Sequence, residues 1–400
     1  ILRPFGEVVK LPFEVCHSAE DLSALAQQLK SIEGETRVVM EHTGRYYESI
    51  AKVLHEAGLY VSVVNPLLIK EYGANSLRRV KTDKADAMKI ARYALDNWAD
   101  LRDYTPMDTI RYNLKTLNRQ FQLASKQRTA SSNNLIALLD QSFPGIRKCF
   151  DSPVRSDGTQ KWVDFAHAFW HVDCVRKQSL NAFSERYRKW CKRHGYFFKQ
   201  ANAEEVYTLA KNAVVLVPKS DVTKVLIQEA ANQLTSISRS VETYRTEMER
   251  LASMLPEYPV VMQMYGVGKS FGPQLMAEIG DVRRFERKQA LVAFAGIDPM
   301  PNQSGEKNIR SNKSSKRGSP YLRKTLFNIM SIYLKCAPQE EPIFQFLDRK
   351  RTEGKPYYVY MTAAGNKFLR RYYAQVRDYL ATLENLPPVD MESTGLQHTT

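Results

Sequence analysis

Nine residues between Ile227 and Leu255 (Ile227, Ala230, Leu234, Ile237, Val241, Tyr244, Met248, Leu251 and Leu255) recur at alternating spacings of three and four. A 3.5-residue apolar period held this long specifies a helix that must bury one narrow stripe against another helix. The partner is either a second copy of the chain, giving a coiled-coil dimer, or a helix of the same domain, and the spacing leaves both open. Pro256 and Pro259 end the run and open a third region.

Upstream the pattern changes. Ile1 to Phe5, a Gly6-Glu7 turn and Val8 to Val15 predict a hairpin. A helix from Ala19 to Ile32, a strand over Thr36 to Met40, a helix from Tyr46 to Ala57, a strand from Tyr60 to Val64 and a helix from Asp83 follow. This alternation predicts an α/β unit. Apolar residues at 107, 110, 114, 117, 121, 124, 135 and 138 predict one long amphipathic helix over Met107 to Leu138. The stretch from Cys149 to Phe198 is basic and aromatic, with Trp162, Trp170 and Trp190, and has no firm assignment. The expected organisation is therefore 1–145, an α/β unit with its following helix; 146–255, the aromatic insert and coiled-coil region; 256–386, a mostly helical C-terminal domain; and 387–400, a disordered tail.

A net charge of +15, from 58 Lys and Arg against 43 Asp and Glu, favours an anionic partner, nucleic acid first. No run of about 18 apolar residues occurs, which excludes a spanning helix and so a membrane partner. Cys16, Cys149, Cys174, Cys191 and Cys336 include no C-x-x-C pair, so a disulfide framework is not expected and the cytoplasm is the predicted compartment. His167, His171, Cys174, Cys191 and His194 match no standard zinc spacing, and core packing is the preferred reading. The chain begins at Ile1 rather than Met, and residues upstream of it are expected.

Three groups of residues could carry chemistry. Glu41 ends an apolar strand ahead of His42-Thr43-Gly44, where a rigid backbone can present a carboxylate at the sheet edge. Asp83 and Asp86 stand three apart and share a helix face. Three carboxylates at one sheet edge would make a hard-oxygen site suited to Mg²⁺. In the third region, Gly266-Val267-Gly268 followed by Lys269 fits the turn of a helix-hairpin-helix, whose backbone N–H groups bind phosphate, better than a P-loop, because Gln263 stands where the first P-loop glycine would fall. Beyond Ser304 come Lys307, Arg310, Lys313, Lys316, Arg317, Arg323 and Lys324, opposed only by Glu306, a candidate phosphate-backbone surface. A serine in that field could attack a phosphodiester, although an ordinary loop serine fits the local sequence too.

Three motifs in this order resemble the DEDD transposases of the insertion-sequence 110 family, RNA-guided serine recombinases related to the Piv-type DNA invertases. They are Glu41-His42-Thr43-Gly44 with Tyr46 or Tyr47, Lys81-Thr82-Asp83-Lys84-Ala85-Asp86-Ala87, and the run from Phe294-Ala295-Gly296 through Gln303-Ser304-Gly305 to Ser315-Lys316-Arg317-Gly318-Ser319-Pro320-Tyr321-Leu322-Arg323. The resemblance implies a RuvC-like, ribonuclease-H-type domain, a coiled-coil dimerisation region and a C-terminal transposase domain. It implies that Glu41, Asp83 and Asp86 are the last three DEDD carboxylates, holding Mg²⁺, and that Ser304 is the nucleophile of a phosphoserine link. The family's first aspartate has no counterpart here, and an upstream strand carrying it is expected. The resemblance further implies DNA ends and target as substrate, a structured guide (bridge) RNA, a homodimer that could pair into a tetramer, a composite site between protomers, and a nucleoid-associated cytoplasmic protein in bacteria. A metal-dependent junction nuclease, a site-specific DNA invertase of the same fold and an inactive nucleic-acid-binding fragment are the rival expectations.

Overall fold

Parallel pairing of two five-residue strands organises the first of two compact units, Ile1–Met107. The structure is a computed structural model and describes residues 1–72, 82–299, 303–304, 307–308 and 314–385. β1 (Arg37–Glu41) lies beside β2 (Tyr60–Val64), in register from Arg37 opposite Tyr60 to Glu41 opposite Val64. The crossover is α2 (Tyr46–Glu56), because parallel neighbours cannot be joined by a tight turn. Alternation along β1 sorts its side chains: Val38 and Met40 pack with Ala26, Leu29, Ala51, Leu54 and Val61, under α1 (Ala19–Lys30) and α2. Val39 faces the other way, onto Ile69, Ile90 and Ala94 of α3 (Pro66–Tyr72) and α4 (Asp83–Asp96). Ser18 and Thr82 cap α1 and α4 by accepting from Asp21 N and Ala85 N.

The expected N-terminal hairpin is reduced to one antiparallel bridge, Leu2 to Val8, flanking a 3-10 turn at Pro4–Gly6. Proline at 4 and 12 withholds two ladder donors, and Val8, Val9 and Val15 find no apolar face to cover them, each 40% exposed or more.

The second unit, Asp108–Thr400, is built on two long helices: α5 (Thr109–Ser142) and α10 (Asp221–Ser253). At 34 and 33 residues each is about 50 Å long. They run antiparallel, since Leu114 shares a core with Met248 and Leu251 while Leu135 and Leu139 share one with Ile227 and Ala230. The heptad stripe is thus filled inside the chain: Ile227, Ala230, Leu234, Val241, Met248 and Leu251 are all buried. The coiled-coil stripe of α10 is covered within the chain, by α5.

At one end of this pair the Cys149–Phe198 insert becomes helices α6 (Lys161–Ala168), α7 (Asp173–Arg176) and α8 (Leu180–Arg193), which with α9 (Gln200–Asn212) surround an aromatic core. Phe165 stacks on Phe169 at 4.7 Å and meets Tyr187 and Trp190 edge-on. At the other end are α11 (Tyr258–Met262), α12 (Gly268–Ile279), α13 (Lys288–Ala295), the short strands β3 (Gln303–Ser304) and β4 (Lys307–Asn308), then α14 (Pro320–Cys336), α15 (Pro342–Thr352) and α16 (Tyr357–Glu384). Because α5 and α10 serve both cores, the two ends and both long helices form one compact unit.

Candidate active site

In the first unit, Glu41 closes β1 half-buried, with Oε1 accepting from Thr43 Oγ1 at 2.6 Å. Asp83 and Asp86 sit exposed in the first turn of α4. α4 runs against β1: Arg37, at the start of the strand, donates to Trp98 O at 2.6 Å just past the helix's far end. Twelve helical residues back from Trp98 to Asp86 rise about 18 Å, and four strand residues from Arg37 to Glu41 about 13 Å. Both paths end at the same edge of the sheet. Among the described residues none of the three carboxylates is in a salt bridge with a lysine or arginine, and no group of three or more His, Cys, Asp or Glu is close enough to hold a metal. The end of β1 and the first turn of α4 point to one end of this unit, but the three carboxylates do not converge on a shared site. Lys81 lies outside the described residues.

In the second unit the backbone around Ser304 is an antiparallel ribbon. It starts where α13 ends and α14 begins: Ser319 N donates to Phe294 O at 2.8 Å, Lys316 N to Gly296 O at 3.0 Å and Ser315 N to Asp298 O at 3.0 Å. Pro299 bridges Ser314, and β3 pairs with β4 with Gln303 opposite Asn308 and Ser304 opposite Lys307; residues 300–302 and 309–313 lie outside the described residues. Only Gly305 and Glu306 separate the strands in sequence, a spacing that favours a hairpin over the expected loop. Two glycines let the base close. Gly296 has φ +65°, and a Cβ on Gly318 would stand 1.9 Å from Phe294 O. Gly318→Ala is therefore expected to cost about 2–3 kcal/mol by forcing these segments apart. An unchanged midpoint in thermal unfolding would refute this origin of the Phe-Ala-Gly and Gly-Ser-Pro spacing.

A buried polar network fixes the same base from below. Glu278 on α12, with a side chain 1% exposed, accepts from Asn118 Nδ2 at 2.7 Å, Arg119 Nη2 at 2.9 Å and Ser319 Oγ at 2.8 Å. Ser319 in turn caps α14. Gln122 bridges Gln274 and Lys324 at 2.8 Å each. The apolar period of α5 hid these residues, although Glu278 inside the run Leu275-Met276-Ala277-Glu278-Ile279 is a sequence sign of a buried carboxylate.

The candidate cations divide. Arg323 Nη1 donates to Ala295 O and Gly318 O at 3.0 Å each, and burial holds its guanidinium below its usual pKa, so it braces the ribbon. Lys324 pairs with Gln122, while Lys316 and Arg317 are exposed. Arg310 and Lys313 lie outside the described residues, as does the side chain of Lys307. At the α11–α12 turn Gly266 has φ +75° and faces Tyr333, with 3.3 Å for an added Cβ. Gly268, Lys269 and Ser270 open α12, exposed and without a side-chain cap, as a phosphate-binding helix start requires. His171 is 1% exposed, with its ring nitrogens 3.1 Å from Val217 O and Asp173 N, and His194 lies against Trp190 at 4.9 Å. Burial, with Glu205 nearby, pushes the Cys149 thiol up to about 12.

Comparison with known proteins places these two regions. Residues 1–144 match the DEDD transposase domain of the IS110 type, and residues 258–344 match a domain described as transposase, IS116/IS110/IS902 family. The pilin gene-inverting protein of Moraxella bovis is 23% identical over 344 residues, covering 85% of this chain and 80% of that protein. The transposase for insertion sequence element IS1111A of Coxiella burnetii is 29% identical over 120 residues, 30% of this chain and 32% of its own. An IS116 protein of 44.8 kDa from Streptomyces clavuligerus is 22% identical over 306 residues, 74% and 73% of the two chains. With the carboxylate edge inside the first match and the Ser304 ribbon inside the second, the chain belongs to the IS110 family of transposases.

Proposed function

We propose that this insertion-sequence transposase cuts and rejoins DNA through a covalent phosphoserine on Ser304. The observation that carries the reading is the ribbon: a serine held on a short ladder opposite Lys307, whose base is pinned by Gly318, Arg323 and the Glu278 network. Ser304 Oγ forms the bond to phosphorus as a deoxyribose oxygen leaves and takes up a proton, and attack by the exchanged strand reverses the step. Glu41, Asp83 and Asp86, on a domain we take to be RuvC-like, would hold Mg²⁺, which supplies positive charge against the phosphate. Lys316, Arg317 and the start of α12 bind the DNA backbone without reading sequence.

A structured guide RNA would choose the sites. The support for it is α8, which turns Arg186, Arg188, Lys189, Lys192 and Arg193 to solvent against Glu185 alone. The Lys115–Arg128 stretch is weaker support, because Arg119 and Arg128 are committed to Glu278 and Glu242. Site-specific inversion by the same chemistry is the second reading, favoured by the long match to the pilin gene-inverting protein.

The test is to incubate the chain with element-end DNA, its candidate RNA and Mg²⁺, denature, and digest. A DNA adduct on the peptide containing Ser304, lost on chelation or when the RNA is left out, is the expected outcome. Strand cleavage without any adduct would replace this mechanism by that of a metal-dependent nuclease.

A further inference from the structure

Beside the base of the Ser304 ribbon, α14, α15 and α16 enclose an open groove of about 1170 Å³. That exceeds the roughly 300–1,000 Å³ of small-molecule sites, and its shape suits a length of chain better than a single metabolite. Five cations line it, Lys316, Arg323, Lys324, Lys367 and Arg370, and no carboxylate does so among the described residues. The other large groove of this unit, by contrast, carries Glu340 and Glu341, the latter paired with Arg371.

Aromatic faces interrupt the charge. Tyr358 is 73% exposed and stands 6.3 Å from Phe327 at 51°, so neither ring covers the other. Phe346 closes one wall, with Lys367 Nζ 4.9 Å from its centroid. Thr362 and Asn366 supply hydrogen-bonding groups, while Ile297, Val359 and Ala363 make an apolar floor. From Tyr358 to Arg370 the α16 wall runs about 18 Å, enough for a few nucleotides. Lys316 holds a left-handed backbone at φ +52°, a conformation costing about 1–3 kcal/mol for a residue with a side chain, at the point where the ribbon meets the groove.

Cations spaced along an apolar wall with open aromatic rings match a strand whose bases are unstacked, since a duplex keeps its base faces stacked inside and cannot offer them to those rings. We infer that this groove holds an unpaired stretch of DNA next to the scissile position, keeping a cut strand in place while the exchange partner arrives. The choice of DNA rests on the transposase reading; the single-strand preference rests on the groove alone.

Anisotropy of a labelled 20-nucleotide oligothymidylate, a 20-base-pair duplex and a 20-nucleotide oligouridylate, each titrated with the full chain, tests it. Tyr358→Ala is expected to weaken oligothymidylate at least about fivefold, as losing one base stack does, while Tyr358→Phe restores binding. Arg370→Glu is expected to weaken it similarly and to flatten its salt dependence. Duplex affinity stays within twofold, with circular dichroism confirming that the variants are folded. Ser304→Ala binds oligothymidylate like the parent, so failure of the nucleophile and failure of the groove give separate signals. Unchanged oligothymidylate binding in both Tyr358→Ala and Arg370→Glu, an equal loss for duplex, or a larger loss for oligouridylate would each overturn the inference.

Discussion

Ser304→Ala is expected to lower DNA strand cleavage by at least about a thousandfold, the usual consequence of removing a covalent nucleophile. Affinity for element-end DNA should stay within about twofold of the parent. Two serines at the ribbon's base, Ser315 and Ser319, are already engaged. Ser315 Oγ donates to Asp298 Oδ1 at 2.5 Å, and Ser319 Oγ donates to Glu278 while accepting from Leu322 N. Neither hydroxyl can attack without undoing the ribbon's base. Ser315→Ala should therefore lower the unfolding midpoint and leave residual adduct, whereas Ser304→Ala should leave the midpoint unchanged and the adduct undetectable. Cleavage by Ser304→Ala at the parental rate would assign the chemistry to the carboxylate edge alone.

The elements easiest to read from sequence were those whose period is set by one face. β1, α2 and β2 fall within a residue or two of their predicted limits, because a strand and helix covered by a single core must repeat at two and 3.6. The heptads of α10 fixed a helix but not its partner: a stripe encodes that something apolar covers it, and here that is α5. The N-terminal hairpin failed for the complementary reason, since Val8 to Val15 reads as a strand while its partners decide whether a sheet exists. The candidate cations show a further limit. Arg323 looks like a phosphate ligand in sequence, yet it is placed by an acceptor distant along the chain, Ala295 O. Tyr358 and Arg370 were passed over because a groove between three helices leaves no local pattern.

Glu278→Ala is expected to destabilise the second unit by about 3–5 kcal/mol, the range for removing one member of a buried ionic and hydrogen-bonded set. Three groups lose their acceptor at once. Asn118 is fully buried, and its Oδ1 has no partner among the described residues, so losing Glu278 leaves its whole amide unpaired in the core. The guanidinium of Arg119 keeps its stack on Tyr321 at 3.6 Å but no carboxylate, and Ser319 loses the bond that aims its capping oxygen at the start of α14. For a unit of this size the midpoint should fall by roughly 6–12 °C. Asn118→Leu in the same chain should recover part of the loss, since removing both buried partners avoids stranding one of them. The functional consequence separates support from chemistry. Below its lowered midpoint, Glu278→Ala still carries Ser304 and should still form the adduct, but slowly, because the ribbon's base is no longer fixed between α12 and α14. A midpoint within about 2 °C of the parent would mean that water replaces the carboxylate at little cost, and the Ser304 ribbon would then owe its position to Gly318 and Arg323 alone.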